Sequence, residues 1–252
     1  MGLFDKKSCD LCGGKIGMLG NRKLEDGNCC KDCAKQLSPF FSERRKSTVA
    51  DIREQLEYRE ANKAAVAAFN TTRTLGMVTK VFLDEDAGKF AVSSAKRLGD
   101  ENPDILDFSQ VTGCNVEVQE SSRELKVKGP DGNEKSYIPP RYKYSFTFFI
   151  IVHVNSPWFT EIKFPLGRSV DVEATGSRSI AGGSTDIGRR SGEYRQAEAL
   201  GNEIKTALTK VRKDARASVA AAPKVAKTCP LCGATCIPDA QGCCEYCGGA
   251  MG

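Results

Sequence analysis

Four Cys-x-x-Cys pairs set the strongest bound on how this chain can fold, because two thiolates at that spacing reach one metal ion and fix the backbone around it. Cys9/Cys12 and Cys30/Cys33 stand near the start with seventeen residues between the pairs; Cys229/Cys232 and Cys244/Cys247 stand near the end with eleven between them. Each set of four is the donor set of a closed tetrahedral zinc site. Such a site shapes peptide and leaves no coordination position for substrate or activated water. Segments this short cannot bury enough apolar surface to fold alone, and zinc binding worth on the order of 10–16 kcal/mol in finger peptides supplies the difference. The expected cofactor is therefore Zn2+, two per chain. The same pairs also suit a redox disulfide or an iron–sulfur cluster, which stand as the rival readings.

In the first module, Cys9-Asp10-Leu11-Cys12-Gly13-Gly14 reads as a metal knuckle whose glycines tolerate a tight turn. Ile16, Met18 and Leu19, leading through Gly20-Asn21 to Leu24, predict a short hairpin, and Asp26-Gly27 a turn before the second pair. Ala34-Lys35-Gln36-Leu37 are helix formers, so the second pair opens a short helix that Pro39 ends. Knuckle, hairpin and ligand-bearing helix is the order of a treble-clef zinc finger. The stretch CDLCGGKIGMLGNRKLEDGNCCKDCAK resembles an uncharacterised bacterial zinc-finger family, a domain of unknown function usually found at protein N-termini. That resemblance spans about forty residues and implies a zinc site with no activity attached. Cys29 directly precedes Cys30, so a Cys29/Cys33 register is the alternative. In the last module Gly233 and Gly248 each follow a second thiolate, giving two knuckles, and the segment resembles the short zinc ribbons that end many bacterial proteins. Cys29, Cys114, Cys236 and Cys243 are left over as small packed residues, with Cys29 and Cys243 also candidates for redox or metal-stress sensing.

Between the modules, Ser47-Thr48 predicts the cap of a helix from about Val49 to Phe69, with Val49, Ile52, Leu56, Val66 and Phe69 partly on one face. Arg53, Glu54, Glu57, Arg59, Glu60 and Lys63 mix signs and read as solvated. From Thr79 the period changes. Lys80–Leu83 and Lys89–Val92 form a hairpin across an acidic turn, Asp84-Glu85-Asp86. Short strands are expected over Ile105–Phe108, Val111–Val118 and Glu124–Val127, and a long one over Tyr142–Val154, where apolar residues alternate with polar ones. A turn at Asn155–Trp158 leads to Thr160–Phe164. A helix from about Glu193 to Lys213 then carries the stripe Tyr194, Ala197, Leu200, Ile204, Leu208 and Val211.

Antiparallel strands followed by one long helix make an α+β order. Over roughly residues 79–213 that order resembles a pleckstrin-homology-like barrel. The fold class expected is thus an antiparallel pleckstrin-homology-like barrel with a C-terminal helix, flanked by two small zinc modules. The division is a treble-clef-like finger over 1–42, a spacer helix over 47–72, the pleckstrin-homology-like domain over 76–216, a linker over 217–228 and a zinc ribbon over 229–252. The acidic first hairpin loop argues against a phosphoinositide headgroup and leaves protein recognition as the use of the domain.

The formal charge of +5 hints at nucleic acid. Eight thiolates and two dications together change it by −4, to about +1. What remains basic is local: Arg44-Arg45-Lys46, and the stretch Lys205–Lys227, which carries seven Lys/Arg against Asp214. The second is a solvated helix face and linker on the plain reading, with nucleic-acid binding through both as the alternative. The loop Ile180–Gly188 lacks the Gly-Lys-Ser/Thr ending of a phosphate loop, although Arg189 and Arg190 beside it suit an acidic partner. His153 has no second histidine to share a metal. No base, nucleophile and oxyanion donor cluster together, so no enzyme is expected. No apolar signal segment precedes the cysteines and no run is long enough to span a bilayer. A cytoplasmic, non-catalytic adaptor with an unknown protein partner is the function these residues predict.

Overall fold

A computed structural model describes residues 7–175, 188–221, 227–237 and 243–249. The chain divides into two compact units, the first ending at Lys213 and the second beginning at Asp214.

The first unit opens with the cysteine module. Strands β1 (Arg22–Lys23) and β2 (Asn28–Cys29) pair antiparallel, with Arg22 opposite Cys29. The turn between them is pressed against Val49 and the first knuckle: a Cβ on Gly27 would lie 2.6 Å from Val49 Cγ2 and 2.8 Å from Asp10 Oδ2. Helix α1 (Lys31–Gln36) follows Cys30, which is its N-cap. Helix α2 (Val49–Ala68) starts at a capping box, in which Thr48 Oγ1 accepts from Asp51 N (3.2 Å) and Asp51 Oδ2 accepts from Thr48 N (2.8 Å). Its buried stripe is Ile52, Gln55, Arg59 and Asn62, which fall on one face at helical spacing. Three of these four are polar. The expectation that Arg59 is solvated is corrected: its guanidinium is enclosed and pairs with Asp104 (2.9 Å).

Two open, four-stranded antiparallel sheets follow. The first contains β3 (Arg73–Gly76), β4 (Lys80–Asp84), β5 (Lys89–Ser93) and β6 (Leu106–Asp107) in sequence order. Val81 to Asp84 and Phe90 to Ser93 are all buried, so this hairpin is covered on both faces, and Phe82 and Ala91 pack with Leu98, Phe69 and Ile105 on one of them. Asp84 is not part of an exposed acidic loop. It accepts from Asn70 N and Ala87 N (2.8 and 2.9 Å) and shapes the turn.

The second sheet is built on β8 (Glu134–Val154), which pairs along one edge with β7 (Val111–Lys128). Its other edge is shared between β10 (Val170–Thr175), which meets residues 141–146, and β9 (Glu161–Pro165), which meets residues 149–153. The alternation expected from Tyr142 to Val154 places Tyr144, Phe146, Phe148, Ile150, Val152 and Val154 in the core. Helix α3 (Gly192–Ala221) lies over this face within the first unit: Tyr194 meets Phe146 and Phe148 edge-on, at 5.2 and 4.9 Å between ring centres. Gly201 lets the helix approach, since a Cβ there would sit 3.2 Å from Val116. The expected barrel is therefore replaced by separate open sheets. The stretch read as a linker is helical through Ala221, and most of the Ile180–Gly188 loop lies outside the described residues.

Candidate metal centres

Two backbone devices build the first centre. In the knuckle, Cys9 N donates to Gly14 O and Gly13 N donates to Cys9 O, both at 2.8 Å. Gly13 takes φ +71°, a conformation that costs a residue bearing Cβ about 1–2 kcal/mol. The other device is α1, where Cys30 Sγ accepts from Cys33 N (3.3 Å) and its carbonyl from Ala34 N (3.0 Å). Together they bring Cys9, Cys12, Cys30 and Cys33 into one group, with sulfurs within 4.8 Å of one another. Cys9 Sγ stands 3.9 Å from Cys33 Sγ, and Cys12 Sγ 3.8 Å from Cys30 Sγ.

In the second unit, β11 (Lys227–Thr228) and β12 (Thr235–Cys236) pair antiparallel, and Cys229, Cys232, Cys244 and Cys247 form a second such group. Here both devices are knuckles. Cys229 N donates to Ala234 O and Gly233 N to Cys229 O (2.8 and 2.9 Å); Cys244 N donates to Gly249 O and Gly248 N to Cys244 O (both 2.8 Å). Gly233 and Gly248 repeat the left-handed conformation of Gly13, at φ +71° and +69°. The sulfur separations are 3.5 Å for Cys229/Cys247 and 3.7 Å for Cys232/Cys244.

These distances test the chemistry. A tetrahedral zinc ion with Zn–S bonds of about 2.3 Å holds its sulfurs about 3.8 Å apart, whereas a disulfide closes to about 2.05 Å. Both groups have the first spacing, and each can hold one zinc ion. Their electrostatics ask for a cation. Burial raises Cys9, but backbone N–H donors from Cys12, Cys30 and Leu11 outweigh it and bring the thiol down to about 6. Burial and the sulfurs of Cys30, Cys12 and Cys9 push Cys33 well up. Cys244 falls to about 6, chiefly through the Cys247 backbone N–H. The Gly249 backbone N–H lowers Cys247, but the sulfurs of Cys232 and Cys229 overcome it and lift that thiol to about 12. Neighbouring thiols thus resist ionising together until a dication compensates them, which ties metal binding to proton release.

The remaining candidates separate cleanly. Cys30, and not Cys29, belongs to the first group. Cys29 is buried on β2, donates to Cys30 O (3.2 Å), and is pushed up to about 12 by burial and by the charges of Cys9 and Cys30. Burial alone carries Cys114, on β7, up to about 11 against the opposing charge of Lys205. His153 lies on β8 beside Asn115 (3.2 Å) and belongs to neither sulfur group. Cys236, expected as a small packed residue, is buried on β12 with Sγ 3.6 Å from Cys244 Sγ and stands outside the group of four.

The first centre is not an appendage. Cys9, Leu24, Cys29, Cys33, Leu37 and Ile52 form one core cluster, so the module shares its interior with α2. A polar latch then ties module and helix to the loop before β6. Arg59 donates to Gln36 O (3.2 Å), Asp104 Oδ1 (2.9 Å) and Asn102 O, while Ser38 Oγ donates to Asp104 Oδ2 (2.7 Å). Asn62 Nδ2 donates to Asn102 Oδ1 and Pro103 O, both at 2.7 Å. Phe40 meets Phe159 (5.6 Å between ring centres) and Phe41 meets Trp158 (6.2 Å). Tyr58 meets Trp158 from α2 (6.2 Å).

A family model described as a domain of unknown function, DUF4428, matches residues 7–55, which hold the first centre and the opening turns of α2. No curated protein and no solved structure matches the chain. Among the described residues, no helix is long and apolar enough to cross a membrane.

Proposed function

We propose that the chain is a non-catalytic, cytoplasmic zinc-binding scaffold that recognises a protein partner. The observation that carries this reading is the closed shell at both centres: four sulfurs spaced for one ion occupy every tetrahedral position, so the metal organises peptide and has no site to offer a substrate. The knuckle, β1–β2 pair and α1 support a treble-clef-like finger at residues 1–42, and two knuckles support a zinc ribbon at 229–252. The order of antiparallel strands and then α3 is what supports a pleckstrin-homology-like relationship for the middle of the chain. In this reading the latched finger, α2 and the sheets form one rigid body whose surface serves recognition.

Elemental analysis of protein purified without added metal should find two zinc ions per chain, and Cys232→Ser should leave one. A pull-down from the native cell before and after chelation then tests the scaffold role. The same partner should be retained with zinc and lost without it; a partner held equally well by stripped protein would overturn the reading.

A further inference from the structure

One cleft of the first module has a chemistry that the metal does not use. Arg22, Lys23, Arg44 and Arg45 line it together with Asn21, Leu24 and Glu25, around a volume of about 840 Å³. The first two cations come from β1. The other two come from a 3-10 turn at Glu43–Lys46, and Arg44 ties the sides together by donating to Lys23 O (2.7 Å). Arg22 is braced by donation to Leu19 O (3.2 Å) and Asn21 O (3.3 Å).

Neutralisation inside the protein is incomplete. The nearby pair Glu43–Lys46 (2.8 Å) satisfies itself, and among the described residues none of the four cleft cations forms an ion pair with a carboxylate. Among the described residues Glu25 is the single acid in the lining. Burial lowers the Arg44 guanidinium; the charge of Cys29 opposes this, and Arg45 and Arg22 add to it. Like charges held this close are relieved by an anion that several of them share, and planar guanidiniums meet phosphate oxygens in pairs. The volume is that of a small-molecule site. Among the described residues no aromatic ring lines the cleft, so they offer no face on which a nucleobase could stack.

We propose that this cleft binds a small polyanion bearing two or more phosphoryl groups, recognised through its oxygens. The ligand is held by Arg22, Lys23, Arg44 and Arg45 and bridges β1 to the 3-10 turn, independently of any protein partner.

The probe is inorganic triphosphate, titrated calorimetrically into the full-length, zinc-loaded chain, with zinc content measured before and after. Arg45→Glu is the informative variant, because among the described residues no hydrogen bond depends on that side chain; Lys46→Ala, from the self-paired neighbour, is the control. Saturable binding that Arg45→Glu weakens roughly tenfold or more, that Lys46→Ala leaves within about twofold, and that monophosphate matches only weakly supports the proposal. Absence of saturable binding, binding indifferent to Arg45→Glu, or heat that tracks loss of zinc overturns it. So does tighter binding of a DNA or RNA oligonucleotide than of triphosphate with the same Arg45 dependence, since the surface would then be a nucleic-acid track.

Discussion

Arg59 and Asp104 form an ion pair with almost no access to water, side chains 10% and 1% exposed. Burial raises Asp104 above the usual carboxylate range even though Arg59 and Ser38 pull it down, so desolvation outweighs its partners. Such a pair contributes little net stability yet is costly to break, because removing one charge strands the other. Asp104→Asn should lower the unfolding free energy by roughly 3–5 kcal/mol in urea titrations, and the double change Arg59→Met/Asp104→Leu should recover most of that loss. A single variant no weaker than the wild type would mean that water reaches the site. The thiols were readable residue by residue because their spacing is the site; the pair was not. Nothing around Arg59 in the sequence announces a carboxylate forty-five positions away.

The elements divide in the same way. The hairpin of β4 and β5 and the core face of β8 were legible because strand alternation is written in consecutive residues. Strand β7 reads as two short pieces, since Gln119 to Arg123 carry no apolar pattern; it is continuous because every one of them pairs with β8 through the backbone. Strands β3 and β10 were missed for the opposite reason, being short segments whose pairing partners define them. Helix α2 was placed correctly from its ends and misread on its face, where Arg59 and Asn62 point inward to partners supplied by the loop before β6. Its start is therefore the part that local chemistry controls. Thr48→Ala removes one half of the capping box and should cost about 1 kcal/mol, seen as a lower urea midpoint with zinc content unchanged.

For the molecule as a whole, the first centre and the first sheet are mechanically joined. Gln36, at the end of the helix that carries Cys33, accepts from Arg59, and the same helix α2 holds Ile105 N through Asn62 Oδ1 (3.0 Å). Metal at residues 9–33 thereby bears on β6, which begins at Leu106. Cys33→Ser should lower zinc by one ion and speed hydrogen exchange at the Ile105 amide; exchange unchanged at that amide would show that the latch holds without the metal.

The latch also has a history within each molecule. Arg59 leaves the ribosome forty-five residues ahead of Asp104, an interval of roughly two to nine seconds at 5–20 residues per second. Over that interval the nascent finger can already have gathered its cysteines, while the guanidinium that will lock it in place still faces solvent. Metal can therefore be held at the N-terminal module before residues 102–105 arrive to complete the latch.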